Sequence, residues 1–428
     1  LRKFGTMRHV SVRVALAATV VAGLSASIAA PAASQPTSPT VVRIGALLSI
    51  TGGGSSLGNT SNAALEVAKD RWNQRLAAQH QSLRVDLSVV DTGQDPARAA
   101  AGFQQLADQH VRIVIGPQSS SEVAAIQALA NQQGVLIVSQ GSTASSLAMP
   151  NNNAFRFVPN DHIEGRATTD LLVKQGTRVV VPLWRNDRGN QGLADSVRAA
   201  ATAAGAQVTA GFRYETSTTD FGPALAEVSR QVTAAVQQVG PAHVAVYAAG
   251  FEEVASVLTA AGQIPGLAAV RWYGGDGSAQ ATQLLQPASA KFAIAAKGDP
   301  SPLVALPADR ARRDAPLIAQ IAKRAHATPD AFALAAYDAF NVAVQTLMST
   351  GTSVDGPTLR TTFARTANGF PGVTGTIQLD ANGDRASAPY AYWSICRRGA
   401  RPQWVRSGSW TPNVTDPAGP GRATGGSC

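Results

Sequence analysis

Cysteine is almost missing from this 428-residue chain: there are two, Cys396 and Cys428. So few exclude a thiolate metal centre and a small disulfide-stapled scaffold. An oxidising compartment would allow the two to pair, yet Cys428 ends a Gly/Pro/Ser-rich tail, so pairing stays open at this level. The six histidines, His9, His80, His110, His162, His243 and His326, are scattered without ligand spacing and read as solvated or core residues. Net charge is also missing where it would matter. Of the formal +9, the first 33 residues hold four positive charges and no acid, while residues 397–428 contribute four more, leaving the body near neutral. A near-neutral body offers no basic stripe for a phosphate backbone, so nucleic acid is not an expected partner. The chain has no P-loop with Gly-Lys-Ser/Thr, no H-E-x-x-H, no C-x-x-C and no visible nucleophile–base pair. The run Thr51-Gly52-Gly53-Gly54-Ser55-Ser56-Leu57-Gly58 lies where a dinucleotide loop would, but lacks the G-x-G-x-x-G spacing. A non-enzymatic protein without cofactor or metal is therefore expected.

What is present begins with an export pattern. Arg2, Lys3, Arg8 and Arg13 precede an apolar, Ala-rich stretch from Val14 to Ala30, with small-residue cleavage options between Ala29 and Ala33. Residues 1–33 read as a cleavable signal peptide, too short and Ser-broken for a membrane anchor. With no cysteine near the cleavage zone, a periplasmic or secreted protein without a lipid anchor is expected.

Short β-rich runs then alternate with helical patterns. Strands are expected at Val41–Leu48, Leu83–Val90, Val111–Ile115 and Val135–Ser139, and again at Val179–Leu183, Gln207–Phe212, His243–Ala248, Val270–Tyr273 and Phe292–Ala296. Helices fill the gaps, which argues for an α/β fold of parallel sheets covered on both faces. After Pro300 come long helices at Ala308–His326 and Pro329–Ser349, then strands at Gly375–Leu379 and Ala388–Ile395 that are expected to join an existing sheet. The expected division is lobe 1 at residues 41–160 plus about 297–372, and lobe 2 at 161–296 plus about 373–410. Residues 411–428 read as a disordered tail.

Several strand ends carry polar loops. Ile115-Gly116-Pro117-Gln118-Ser119-Ser120-Ser121-Glu122 joins a strand to a helix. It reads either as plain N-capping or as a carboxylate site at a helix N-terminus. The neighbouring strand end, Ser139-Gln140-Gly141-Ser142-Thr143, is also small and hydroxylated, which favours one polar pocket wall. In the second unit, Gly274-Gly275-Asp276-Gly277 offers either a helix cap or an anionic partner for a ligand ammonium. Phe251, followed by Glu252, reads as an apolar wall or a core aromatic.

These segments, with Phe155-Arg156…Asp161, Asn186-Asp187…Gly192-Leu193, Ala335-Ala336-Tyr337-Asp338-Ala339 and Asp380-Ala381-Asn382-Gly383-Asp384, resemble the Leu/Ile/Val-binding protein family, the type I periplasmic solute-binding proteins of ABC importers. The likeness runs from Val42 to about Ile395. It implies two lobes joined by three crossover strands, with a small ligand, an amino acid or amide, held between them. It also implies a monomer that docks on a membrane permease. Carried over, Ser120 and Thr143 with the backbone at Gly141 would hydrogen-bond the ligand carboxylate and Asp276 would take its ammonium, while Ser119 and Ser142 are candidates from the same two polar loops. Asp161 would reach across from the first crossover. Leu57 and Arg188-Gly189 stand where the family often has aromatics, which points to a larger or more polar pocket. A sensory receptor of the same fold and a secreted α/β enzyme are the rival readings.

Overall fold

A computed structural model describes residues 40–428 apart from 299, 414–418 and 427. The expected signal segment lies outside the described residues. The first half of the chain runs β1 (Thr40–Leu48), α1 (Ser55–Ala78), β2 (Leu83–Asp91), α2 (Pro96–Asp108), β3 (Ile113–Ile115), α3 (Ser120–Gln133), β4 (Leu136–Ser139), β5 (Ala154–Arg156) and α4 (Asp161–Lys174). It continues through β6 (Val179–Arg185), α5 (Arg188–Ala203), β7 (Gln207–Val208), β8 (Phe212–Tyr214), α6 (Gly222–Val239), β9 (Val244–Ala249), α7 (Val254–Ala261), β10 (Arg271–Gly274) and α8 (Pro287–Ala295). The remainder is β11 (Ser301–Val304), α9 (Ala308–Arg313), α10 (Ala315–Ala325), α11 (Ala331–Thr350), α12 (Gly356–Ala367), β12 (Pro371–Gly372), β13 (Gly375–Thr376), β14 (Tyr390–Arg398), β15 (Arg401–Thr411) and β16 (Arg422–Gly425).

Two parallel sheets organise the molecule, in the order β2-β1-β3-β4-β5 and β10-β9-β6-β7, with β8 also on β6. The central strands β3, β4, β6 and β9 are mainly apolar runs buried on both faces, as helix-covered parallel strands require, whereas β2, β7 and β8 are only partly buried. Register decides which loops become neighbours. Ile115 pairs with Val138, so the loops after β3 and β4 emerge side by side. Gly274 pairs with Ala248, so those after β9 and β10 do the same.

Three crossings join the lobes, after β5, through β11 and before β14. They run together: Arg385 N donates to Arg156 O at 2.9 Å and Ala305 N to Pro389 O at 2.7 Å. Between the first and third, the Arg156 guanidinium meets the Asp384 carboxylate in a fork with both side chains 2 % exposed. The long α11 packs on α1 and α12. Its length and apolarity would let it cross a membrane, but here they serve a buried core position.

Several sequence expectations are corrected. Phe292–Ala296 is helix, not strand, because Pro287 starts an Ala-rich turn whose Phe292 stacks edge-on against Trp272 at 5.1 Å. The helix expected at Ala308–His326 is two, since Pro316 in the first turn of α10 lacks the N–H that continuity needs. The strand expected at Gln207–Phe212 is split at Gly211, whose positive φ brings its backbone against the Pro182 carbonyl. Ala279–Leu285 is only a 3-10 turn at Thr282–Leu285. Ala388–Ile395 joins neither parallel sheet. It forms β14 in a separate antiparallel sheet, β11-β14-β15-β16, while Gly375–Thr376 pairs only with Pro371–Gly372.

The disordered-tail reading of 411–428 is corrected too, for its described residues. Arg422–Gly425 pairs with β15, and Cys396 and Cys428 form a disulfide with Cα atoms 5.6 Å apart. Composition suggested disorder because the tail has little apolar surface. Its polar groups are instead satisfied by α4: Asp170 accepts from Gly421 N at 2.7 Å, Lys174 donates to Ala423 O at 2.8 Å, and Gln175 to Gly426 O at 3.2 Å.

Candidate functional site

The loops after β3 and β4 form one wall between the lobes. Ser119 caps α3: Glu122 N donates to Ser119 Oγ at 3.4 Å, and the Glu122 carboxylate accepts from Ser119 N at 3.3 Å. This reciprocal box accounts for Ser119 as a helix cap. Ser120 is differently placed. Its Oγ accepts from Ser142 Oγ and from Ala144 N, each at 3.1 Å. A hydroxyl has two acceptor sites and one proton, so Ser120 is left with an O–H to donate. Ser139 Oγ stiffens the second loop, donating to Pro117 O at 2.6 Å and accepting from Ser142 N at 2.9 Å. Gly141 is needed there, because a Cβ would lie 2.5 Å from Gln118 Cγ.

The opposite wall is a buried set of carboxyl groups. Asp276 follows β10 and is 7 % exposed; Asp161 and Glu164, on the first turn of α4, are 0 % exposed. Asp276 N donates to Glu164 Oε1 at 3.0 Å. Burial pushes Glu164 well above the usual carboxylate range, and the charges of Asp276 and Asp161 push the same way. Burial likewise raises Asp276 to about 6. Asp161 is raised to about 7 by burial, with Asp276 adding to the rise while Thr143 and Arg156 oppose it. Among the described residues, neither Asp161 carboxyl oxygen has a hydrogen-bond partner. Its side chain fits only because residue 192 is glycine; a Cβ there would fall 2.1 Å from Asp161 Oδ2.

Between the walls lies a cavity of about 20 Å³, room for one water. Of the residues singled out in the sequence, Ser119, Ser120, Gly141, Thr143, Phe251 and Asp276 line it. Ser142 and Asp161 stand one layer behind, supporting Ser120 and adjoining Thr143. Leu57 does not reach it: the first turn of α1 buries this side chain in the core. Arg188 does not either. It is exposed on a separate outer groove of about 820 Å³, where it donates to Ser146 Oγ at 3.3 Å. Sequence reasoning missed Gln118, Asn190, Leu193, Gly277 and Phe332 as lining residues. The buried Gln118 Oε1, without a partner, was in view in the same loop. Phe332 was not, since only tertiary packing brings the start of α11 to this place.

The lobes meet around the cavity. Glu252 accepts from Ser56 N at 2.7 Å and from Gln283 Nε2 at 2.5 Å, so a second-lobe carboxylate sits on the first turn of α1, which no side chain of its own lobe caps. Arg185 donates to Gln94 Oε1 at 3.4 Å and stacks over Phe251 at 5.3 Å. The segment Gly54-Ser55-Ser56-Leu57-Gly58 does spell the G-x-S-x-G of hydrolase elbows. Its serine is no activated nucleophile, because Ser56 Oγ is bonded to Thr282 and Gln283, not to a histidine.

Chemically, the cavity has hydroxyls and the α3 N-terminus on one side, a carboxyl on the other, and Leu193, Phe251 and Phe332 between; no Lys or Arg lines it. That arrangement suits a small molecule with an anionic end, a cationic end and an apolar body.

Residues 41–397 match the family model described as periplasmic binding protein. An uncharacterised protein of Methanocaldococcus jannaschii is 27% identical over 387 residues, covering 86% of this chain and 89% of that one. Among solved structures, the branched-chain amino acid transporter substrate-binding protein LivJ of Streptococcus pneumoniae, in complex with isoleucine, superposes with a TM-score of 0.70. It is 19% identical, covering 86% of this chain and all of its own. An ABC transporter solute-binding protein of R. palustris in complex with benzoate gives 0.68 at 18% identity, covering 90% of this chain and 98% of that one.

Proposed function

The chain belongs to the periplasmic binding protein family, and on that premise we propose that it is the extracytoplasmic solute-binding component of an ABC importer whose ligand is an α-amino acid or a close zwitterionic relative. The observation that carries the ligand class is the pairing of the Ser120–Thr143 wall with Asp276 across a cavity that no cationic side chain lines. The hydroxyls and backbone N–H groups of α3 take the ligand carboxylate, as helix N-termini do for anions. Asp276 takes the ammonium, which also relieves the repulsion among three buried carboxyl groups. A purely anionic ligand gains the first contact and worsens the second.

The cavity is too small for an amino acid, so entry requires the lobes to part about the three crossings. Hinge closure of this kind is a known mode of periplasmic binding proteins, which the general repertoire of switching motions includes. Ligand shifts the balance only by binding the closed state better than the open one. The Glu252–Ser56 and Arg188–Ser146 contacts would then re-form around it. Export and docking on a membrane permease complete the proposal. A thermal-shift screen of the twenty amino acids tests it: a true ligand at 100 times its Kd adds about 2.7 kcal/mol. A screen in which only ammonium-free acids stabilise the protein would reject the zwitterion assignment.

A further inference from the structure

A second cavity, of about 190 Å³, lies behind the hinge and shares no lining residue with the cleft. Its floor is one face of the antiparallel sheet. Leu303 pairs with Ala391 on adjacent strands, and Trp393 with Arg406, so these side chains share a face. The opposite face carries Tyr392, whose hydroxyl turns away to donate to Ala167 O at 2.5 Å. The register of β14 on β15 shifts between Tyr392 and Trp393, which sets Arg406 rather than Ser407 opposite Trp393. The roof is helical, from Ile318 on α10 and Ala331 and Leu334 on α11. Ala331 and Phe332 are consecutive, so the start of α11 presents one residue to each cavity.

The walls are mainly aliphatic or aromatic, with Gln280, Thr328, Asp330 and Thr374 as the other polar lining and Arg406 at the edge. Arg406 is exposed, and among the described residues its guanidinium makes no ion pair or side-chain hydrogen bond. The acid lining the cavity, Asp330, is committed elsewhere: it accepts from Thr60 Oγ1 at 2.5 Å and from Ala333 N at 2.9 Å. An apolar cavity of about 150 Å³ admits a benzene-sized molecule. We propose that this hinge cavity is a second ligand site, for a small monocarboxylic acid whose phenyl- or cyclohexyl-sized body lies against Leu303, Leu334 and Trp393 while its carboxylate pairs with Arg406. The assignment is independent of what the cleft binds.

The test is a titration with cyclohexanecarboxylate, followed by calorimetry and by the fluorescence of Trp393 against a Trp393→Phe control. Saturable binding is expected in the wild type. Arg406→Gln, a surface change that leaves the fold intact, should weaken it about three- to tenfold, the range of a partly exposed charge-assisted contact. Uncharged cyclohexylmethanol should bind the wild type and Arg406→Gln equally. Leu334→Trp, which fills the cavity, should abolish binding, while Ser120→Ala and Asp276→Ala in the cleft should not change it. No saturable binding, an unaltered affinity in Arg406→Gln, or loss in the cleft variants would each overturn the proposal.

Discussion

The two walls of the cleft are built by different means. The first-lobe wall is local: a capping box, a neighbouring loop in parallel register, and hydroxyls that bond to one another over a few residues. Toward the cavity it shows hydroxyls and backbone groups, its one acid, Glu122, being turned back onto Ser119. Gln118 Oε1 and both Gln140 side-chain amide atoms have no hydrogen-bond partner among the described residues. The second-lobe wall is tertiary. Asp161 and Glu164 come from the start of one helix and Asp276 from the end of a distant strand, and burial holds them together against their like charge. A surface of hydroxyls and backbone groups needs no balancing charge; a wall of buried carboxyls needs protons or a cation. On the proposed function, the contrast is what lets one cleft prefer a molecule with two opposite ends.

The sharpest way to break the contrast is Asp276→Ala. Losing a charge-assisted partner in a closed cleft should cost amino-acid binding about 2–4 kcal/mol, roughly 30- to 1000-fold. Because it also removes one of three repelling carboxyls, the melting temperature should hold or rise, as a scan of the ligand-free variant would show. Gly192→Ala attacks the same wall by crowding. Its Cβ would meet Asp161 Oδ2, and overpacking of this kind costs about 1–3 kcal/mol of stability, measurable by urea unfolding. On the first-lobe wall, the two adjacent serines should separate in their effect on affinity. Ser120→Ala should weaken ligand about tenfold by removing one hydroxyl donor, and should cost about 1–3 kcal/mol of stability because Ala144 N and Ser142 Oγ lose their buried acceptor. Ser119→Ala should cost about 1 kcal/mol of stability as a lost cap, with little change in affinity.

The smallest expected effect is the pH dependence. Folded pKa values raised to about 6 for Asp276 and about 7 for Asp161 mean that the folded state holds protons the unfolded chain has released. Their contribution to stability is therefore full below about pH 4, the ordinary carboxylate range, and declines as pH rises through 6 and 7. Binding an ammonium opposes that protonation, so affinity should rise severalfold from pH 5.5 to 8, with protons released on binding. Calorimetry in buffers of differing ionisation enthalpy reads this directly, and Asp161→Asn should flatten the profile.

The same division decides what could be read from sequence. Ser119, Ser120, Gly141 and Thr143, which line the cavity, were legible because strand ends, hydroxyls and helix starts are local patterns, whereas Ser121 falls on the outer groove and accepts from Arg188 N. Asp276 was legible as a lone acid among glycines. Glu164 was not, since an acid in a helix's first turn is ordinary capping chemistry until β10 packs against it. Leu57 and Arg188 were misplaced for a related reason: a loop position does not specify whether its side chain faces core, cleft or solvent. The parallel sheets followed from strand–helix alternation. The tail did not, because its order derives from β15 and from Asp170, Lys174 and Gln175 on a helix some 250 residues earlier.

The account turns on the ligand carrying both charges. Isothermal calorimetry of the wild-type protein should compare the amino acid that stabilises it most with the corresponding 2-hydroxy acid, identical except for the ammonium. The account predicts that the hydroxy acid binds at least about 30-fold more weakly, the lower end of the loss expected for Asp276→Ala. Equal or tighter binding of the hydroxy acid would contradict it.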